Sequence, residues 1–171
     1  VNPTGQSVEL HWGADGQNLS GFRLYRGLEL IAELTASEAR YFTDRSGAPG
    51  ISYTYRVRAF WQDQPGRTLE SEFALADAAY PDLLPATGAA AVPLNDALEL
   101  SWNHMSDLHS YYEIRRNGSF LGNVPCGRGL LFTDSTGVQG QFYTYQITSV
   151  LERLGQVFRS APQTFQMQYP E

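Results

Sequence analysis

The stretch FTDRSGAPGISYTYRVRAF at residues 42–60 decides the fold, because it recurs in altered form as FTDSTGVQGQFYTYQITSV at residues 132–150. The two stretches lie ninety residues apart and align without a gap. The alignment extends outward to Trp12, which falls on Trp102. Self-similarity at a fixed period indicates a repeated structural unit. We therefore predict two copies of one small domain within the 171 residues.

Apolar and polar side chains alternate in both copies. Tyr53 and Tyr55 fall on one side of the predicted strand and Arg56 falls on the other. This period is typical of antiparallel strands that cover a core on one face only. The alanine-rich segments 74–80 and 86–91 tolerate a helix, but short strands and linker are the better prediction. Turn signals punctuate the strands at Pro49-Gly50, Pro65-Gly66 and Asn117-Gly118, so we predict an all-β fold of antiparallel sandwiches.

Three motifs in the first copy resemble strands B, E and F of a fibronectin type III domain: Leu-x-Trp, Phe-Thr-Asp and Pro-Gly-x-x-Tyr-x-Tyr-x-Val. The second copy repeats them, with Gln139 in the place of Pro49. The resemblance spans nearly the whole chain and implies two tandem immunoglobulin-like (fibronectin type III) β-sandwiches of a bacterial extracellular type. It also implies that one tryptophan of each copy is buried and that one tyrosine makes a tyrosine corner: Trp12 and Trp102 for the first role, Tyr53 and Tyr143 for the second.

The repeat also predicts the domain boundaries. We expect one domain at residues 1–80, a short, semi-rigid linker at 81–84 and a second domain at 85–171. Val1 aligns with Ala91, so strand A of the first domain is expected to be partial or missing. The chain opens in mid-pattern without Met, which is typical of a piece excised from a longer protein.

Composition excludes several classes of function. The net charge is −6, and neither half carries the basic surface that phosphate-driven nucleic-acid binding needs. No apolar run is long enough for membrane insertion. The single cysteine, Cys126, excludes an intrachain disulfide and a cysteine-rich metal site. All basic residues are arginine, which we interpret as the mark of a GC-rich bacterial genome.

No catalytic motif occurs in the sequence, so we predict that the chain is not an enzyme and needs no cofactor. One cluster contains metal-ligating types: His104, Asp107 and His109 lie within six residues of one another. Imidazole and carboxylate suit zinc or nickel. Histidines in loops are far more often solvated than ligating, so we predict no metal site.

The first copy carries the most suggestive surface. Exposed aromatic side chains beside arginines stack on sugars or anchor protein partners. The opposing interpretation is that these residues are cross-strand pairs, and that Trp61 faces the core. The candidate ligand-binding residues are Tyr25, Arg56, Arg58, Phe60 and Trp61.

We predict a non-catalytic spacer or interaction module of a larger secreted or cell-surface protein, located outside the cell or in the periplasm. Its expected partners are the other domains of the parent chain, together with a protein or polysaccharide. Two alternatives stay open: a carbohydrate-binding accessory module, and a structural component of a surface assembly such as a phage tail.

Overall fold

Every regular element of the computed structural model is a β-strand, which confirms the all-β prediction for the residues it describes. The chain divides into two compact units, Val1–Pro81 (unit 1) and Asp82–Glu171 (unit 2). No described segment forms a helix of the length and hydropathy that crossing a bilayer requires. The described residues are 2–4, 6–16, 18–37, 40–105 and 108–171.

The described residues of unit 1 form eight strands: β1 (Asn2–Thr4), β2 (Ser7–His11), β3 (Gly21–Arg26), β4 (Glu29–Thr35), β5 (Tyr41–Asp44), β6 (Ser52–Gln64), β7 (Arg67–Glu70) and β8 (Ala74–Ala79). They form two antiparallel sheets, one ordered β1-β2-β5 and the other β4-β3-β6-β7. The long strand β6 also pairs with β8, so β7 and β8 share one edge of the larger sheet.

Unit 2 repeats this arrangement, with eight strands in the part that the structure describes: β9 (Thr87–Leu94), β10 (Ala97–Asn103), β11 (Tyr111–Arg116), β12 (Ser119–Pro125), β13 (Leu131–Asp134), β14 (Phe142–Arg153), β15 (Gln156–Arg159) and β16 (Gln163–Gln168). The sheets are ordered β13-β10-β9 and β12-β11-β14-β15, with β16 also on β14. The alanine-rich segments that tolerate a helix lie largely in the strands β8 and β9.

Each unit encloses one hydrophobic core between its sheets. Trp102 is 3% exposed and meets the ring of Tyr112 edge-on, with ring centroids 5.2 Å apart. Trp12 meets Phe22 in the same way at 5.6 Å, but it is only partly buried. The two tryptophans therefore occupy matching positions against their cores, with unequal cover.

The tyrosine corner that the resemblance implies is present in both units. The backbone N–H of Ala48 donates a hydrogen bond to the Tyr53 hydroxyl oxygen at 3.0 Å. The N–H of Val138 donates to the Tyr143 hydroxyl oxygen at the same distance. Each bond ties the start of a long strand to the loop that precedes it.

A second tyrosine, near the end of each unit, packs against the same loop. Tyr80 is buried, and its hydroxyl donates to the carbonyl of Gln6 at 2.8 Å. Its ring lies so close to Gly47 that a Cβ there would come within 2.2 Å of a ring carbon. Tyr169 and Gly137 repeat this approach at 2.1 Å. The repeated glycine is therefore required by the ring that packs on it.

We expect Gly47→Ala to lower the free energy of unfolding by about 1–3 kcal/mol, because the tyrosine ring or the loop must shift to admit the methyl group. Urea denaturation followed by fluorescence measures the change. Gly13→Ala is the matched control, since nothing lies within 4 Å of its Cβ position. Equal stability losses in the two variants would show that close packing is not the reason for glycine at residue 47.

Candidate functional site

Four of the five predicted binding residues lie on one face of the larger sheet of unit 1. Tyr25 is on β3 and pairs with Arg56 on β6. Arg58 and Phe60 follow Arg56 at alternate positions of the same strand and therefore share its face. Trp61 is the next residue and packs on the opposite side, against the core. The structure thus groups four of these residues and separates the fifth.

Arginine guanidinium groups cover the aromatic rings of this face. The guanidinium of Arg58 lies 4.7 Å from the ring centroid of Phe73 and donates a hydrogen bond to the Tyr25 hydroxyl at 3.0 Å. Arg23 lies 4.8 Å from the ring centroid of Phe60. Phe60 is only 5% exposed, although the sequence suggested an exposed ring. A flat, open aromatic platform of the kind that stacks on sugars is therefore not offered by Phe60.

Glu70 holds this face together. Arg23 and Arg58 are directly opposite each other on neighbouring strands, an arrangement that is destabilising for like charges. The Glu70 carboxylate, from β7, accepts a hydrogen bond from Arg23 and lies 2.5 Å from Arg58. Glu33 binds Arg23 from the other side at 2.7 Å, and the hydrogen bonds from Arg23 to Glu33 and Glu70 raise the pKa of Arg23.

Sequence analysis missed Glu70 and Phe73. The pairing of β3 with β6 places Arg23 and Arg58 side by side, and such a pair calls for a carboxylate on the next strand. That signal could have identified Glu70.

Unit 2 contains a similar cluster in which the charges of one ion pair are exchanged. Glu113 takes the place of Arg23, and Arg159 takes that of Glu70, since Arg159 pairs with β14 as Glu70 pairs with β6. Glu113 accepts a hydrogen bond from Arg115 at 2.8 Å and lies 3.6 Å from Arg159. The hydrogen bond from Arg115 is the largest cause that lowers the pKa of Glu113. Exchange of both signs at paired positions indicates that these charges bind each other.

A buried ionic network lies within unit 1. Arg26, on β3, reaches Asp44 at the end of β5 at 3.0 Å, and both side chains are almost fully buried. Asp44 also accepts hydrogen bonds from the Tyr55 hydroxyl at 2.9 Å and from the Ser46 hydroxyl at 2.8 Å. Glu29 binds the outer side of the Arg26 guanidinium at 2.7 Å. The carboxylate of Asp44 is therefore satisfied on all sides by donors.

Unit 2 repeats the core of this network. Arg116 donates to Asp134 at 2.7 Å, and the Tyr145 hydroxyl donates to Asp134 at 2.7 Å. Thr136 supplies both its hydroxyl and its backbone N–H to Asp134, at 2.7 and 2.9 Å. These four residues stand at the repeat positions of Arg26, Asp44, Tyr55 and Ser46. The sequence alignment shows that these positions correspond, but it does not show that the charges are buried together.

The network shifts the pKa of its acidic groups in opposite directions. Burial alone would raise the pKa of Asp44 and Asp134, but the hydrogen bonds and the neighbouring arginine outweigh burial and lower it. Burial first, and then the hydrogen bond donated to the aspartate, raises the pKa of Tyr55 and Tyr145. Each aspartate is therefore held ionised and each tyrosine is held protonated.

The histidine cluster of unit 2 lies in part outside the described residues, because Asp107 is not among them. The rings of His104 and His109 have centroids 6.0 Å apart, and His109 packs against Tyr112 at 4.5 Å. Within the described part of the chain, no group of three or more metal-ligating side chains is found.

Comparison with known proteins identifies the fold. No protein-family model matches the chain. Exoglucanase B of Cellulomonas fimi is 27% identical over 161 residues, a match that covers 84% of this chain and 14% of that enzyme. The chain thus spans about a seventh of the curated relative that it matches.

Two solved structures share the architecture. A two-domain fibronectin type III segment of chicken tenascin covers 98% of this chain and 95% of its own, with a TM-score of 0.57 and 16% identity. The chicken interferon gamma receptor alpha chain covers 99% of this chain and 95% of its own, with a TM-score of 0.51 and 12% identity. The chain therefore has the fibronectin type III fold in two tandem sandwiches, which confirms the predicted fold.

We expect the buried network to make stability depend on pH at both ends of the scale. A lowered aspartate pKa contributes stability that is present above the unfolded value of about 4 and is lost as the pH falls below it. A raised tyrosine pKa contributes stability that is present below about pH 10 and is lost as the pH rises above it. Urea unfolding between pH 2.5 and 11 measures the loss of stability at the acidic end and at the basic end.

Asp44→Asn and Asp134→Asn should each cost about 3–5 kcal/mol at neutral pH, because an arginine is left buried without its counter-ion. Each substitution should also reduce the loss of stability that its own unit shows as the pH falls below about 4. Asp63→Asn, which alters an exposed ion pair with Arg67, is the matched control. If Asp44→Asn lost as much stability at low pH as the unaltered protein does, Asp44 would not be the cause of that pH dependence.

The exchange of charges between the units predicts that, in unit 1, a second substitution restores stability that a first one removes. Arg23→Glu alone should lose about 0.5–1 kcal/mol of stability, because it leaves Glu33 and Glu70 beside a third carboxylate. Adding Glu70→Arg restores a glutamate–arginine pair like that of Glu113 and Arg159 in unit 2 and should recover part of the loss, as a double-mutant cycle measures. Asp63→Arg, which adds the same charge outside the cluster, should not restore stability.

Proposed function

We propose that the chain is a non-catalytic pair of modules that spaces and orients the neighbouring domains of a larger secreted bacterial protein. The observation that carries this proposal is the match to exoglucanase B, which covers most of this chain but only 14% of that enzyme. Most of such an enzyme lies outside the matching part. A spacer role needs two units that fold on their own cores, and each unit has its own buried cluster.

The placement of the carboxylates supports a non-catalytic role. Hydrolysis of a glycosidic bond by most families requires two carboxyl groups about 5–9.5 Å apart that flank the substrate. The most deeply buried carboxylates, Asp44 and Asp134, lie in separate sandwiches, and each is bound to an arginine and a tyrosine. Neither is open to a substrate.

The charged faces of the larger sheets support a structural role as well. In both units a glutamate lies between two arginines, and the signs at two of the positions are exchanged. A face selected to bind one ligand would keep the sign of its charges. The exchange instead preserves attraction between strands, which a spacer needs for stability.

A location outside the cell follows from the same relationship. The relative is an exoglucanase, and a polymeric glucan is met by an enzyme outside the cell. We therefore assign this chain to a secreted or cell-surface protein, and its first partners to the domains joined to it.

A carbohydrate-binding role is the second candidate, because the relative acts on a glucan and unit 1 presents Tyr25 beside Arg56 and Arg58. Tyr25 is half-buried, and its edge lies against Phe73 at a centroid distance of 5.5 Å. The spacer role is favoured because Arg58, which would border a sugar on Tyr25, is already bound to Glu70 and to the Tyr25 hydroxyl.

The spacer role predicts a defined separation between reporters. A donor and an acceptor fluorescent protein fused to the two ends should show a narrower distance distribution than the same pair joined by a Gly-Ser linker of equal length, which behaves as a random coil. Single-molecule energy transfer measures the width. A distribution as broad as that of the linker would contradict spacing.

Binding and light-scattering measurements on the unaltered protein distinguish the spacer role from the alternative functions. We expect no retention on cellulose or soluble glucans, and a monomer by light scattering. Retention that is lost in Tyr25→Ser but kept in Tyr41→Ser, an exposed tyrosine of the other sheet, would instead establish the carbohydrate-binding role. A stable oligomer would favour a surface assembly.

A further inference from the structure

A continuous row of side chains crosses the outer face of the larger sheet of unit 1. Leu30 on β4 is opposite Tyr25 on β3, and Tyr25 is opposite Arg56 on β6. Arg56 is in turn opposite Leu75 on β8. We call these four residues the Tyr25 row. Its two ends are apolar and open to solvent, since Leu30 is 50% exposed and Leu75 is 64% exposed.

Arg56, the cation of this row, has no counter-ion among the described residues. In the neighbouring row, Arg23 and Arg58 both bind Glu70. No described carboxylate pairs with Arg56, and its Nε is shielded from water without a hydrogen-bond partner in the described part of the chain. Its guanidinium lies 5.9 Å from the ring centroid of Phe73. A guanidinium that lies among apolar side chains without a counter-ion favours an anion from outside the unit.

Unit 2 does not repeat the Tyr25 row. Its equivalent positions pair in the same order and hold Phe120, Arg115, Gln146 and Thr164. Arg115 is the cation there, and it donates a hydrogen bond to Glu113 at 2.8 Å. Thr164 is exposed in a unit whose smaller sheet contains the long strand β9, so exposure at this position belongs to the outer face of the larger sheet. The arginine without a counter-ion therefore distinguishes unit 1.

We infer that the Tyr25 row binds an extended peptide segment of a partner protein, in which one carboxylate side chain lies between two apolar side chains. The carboxylate binds the Arg56 guanidinium, and the apolar side chains pack on Leu30 and Leu75. Arginine and a carboxylate commonly form two parallel hydrogen bonds, which adds geometric selectivity to the attraction of charge. The Tyr25 ring, between Leu30 and Arg56, supplies contact area at a low cost in conformational entropy.

The dimensions of the row fit a segment of five residues. Neighbouring strands lie about 4.8 Å apart, so the three strand spacings from Leu30 to Leu75 measure about 14 Å. In an extended peptide, side chains on one face recur about every 6.8 Å, so the first, third and fifth also span about 14 Å. A segment of the pattern apolar-x-acidic-x-apolar that crosses the strands therefore places its end side chains on the two leucines. Its carboxylate then lies between them, within reach of the long Arg56 side chain.

A peptide suits the row better than an acidic polysaccharide, which also offers carboxylates. A sugar ring packs on the open face of an aromatic ring, but the Arg58 guanidinium covers the Tyr25 ring, 5.4 Å from its centroid. The two ends of the row are branched aliphatic side chains, which match the apolar side chains of a peptide. The row therefore favours a partner protein.

Titration of the intact chain with two synthetic peptides, followed by amide chemical shifts, tests this inference. The probe is acetyl-Ser-Leu-Ser-Glu-Ser-Leu-Ser-amide, and the control peptide has glutamine in place of glutamate. We expect the glutamate peptide to bind with a dissociation constant below about 1 mM, and at least about tenfold more tightly than the control. Arg56→Gln, which copies Gln146 of unit 2, should remove this difference. Arg67→Gln, at an exposed arginine of β7, should keep it.

A second variant tests the apolar ends of the row. Leu75→Thr, which copies Thr164, should weaken both peptides by a similar factor, because it removes apolar contact and leaves Arg56 in place. The distance distribution that tests the spacer role should be the same in Arg56→Gln as in the unaltered chain, so the two proposals fail separately.

Two results would overturn the inference. Equal affinity of the unaltered chain for the two peptides, or no binding of either at about 5 mM, would show that Arg56 does not select a carboxylate in a peptide. Trigalacturonate that binds through Arg56 more tightly than the glutamate peptide would assign the row to an acidic polysaccharide instead.

Discussion

A buried carboxylate is stable only beside a cation and enough hydrogen-bond donors, and the rest of each unit is arranged to meet that condition. Asp44 lies on the smaller sheet, whereas Arg26 and Tyr55 lie on the larger one, so the network joins the two sheets through the core. The guanidinium of Arg26 also lies 5.1 Å from the ring centroid of Tyr53. The tyrosine corner and the ionic network are therefore one structure, and loss of either partner of the ion pair leaves a charge buried alone.

The pattern of identity between the two units follows from this condition. The buried network is identical at Arg26 and Arg116, at Asp44 and Asp134, and at Tyr55 and Tyr145. A single change there would leave a buried charge without its partner. The partly exposed pair formed by Arg23 and Glu70 is exchanged for Glu113 and Arg159, so the signs there could change together. The internal repeat supplies this comparison within one sequence.

The sequence predicted the fold because its signals are local and occur twice. Alternation with period two identified the strands, and the tyrosine corner depends on residues five apart. The relation of Glu70 to Arg23 and Arg58 depends instead on which strands lie beside β6, so single-sequence patterns did not reveal it. Phe60 lies on the predicted face, but the covering Arg23 buries it, which alternation alone cannot show. The incomplete cover of Trp12 likewise depends on how far β1 reaches along β2.

The difference between the charges of the buried network and those of the outer faces also bears on function. Each unit keeps its buried ion pair inside its own sandwich. The outer charges are free to vary in sign as long as partners on adjacent strands vary with them, and they have done so between Arg23 and Glu113. A surface under selection for one ligand would resist such exchange, whereas a module selected to fold and hold its neighbours apart would tolerate it. The interior therefore carries the constraint that the two units share, and the proposed spacer role requires nothing further of these faces.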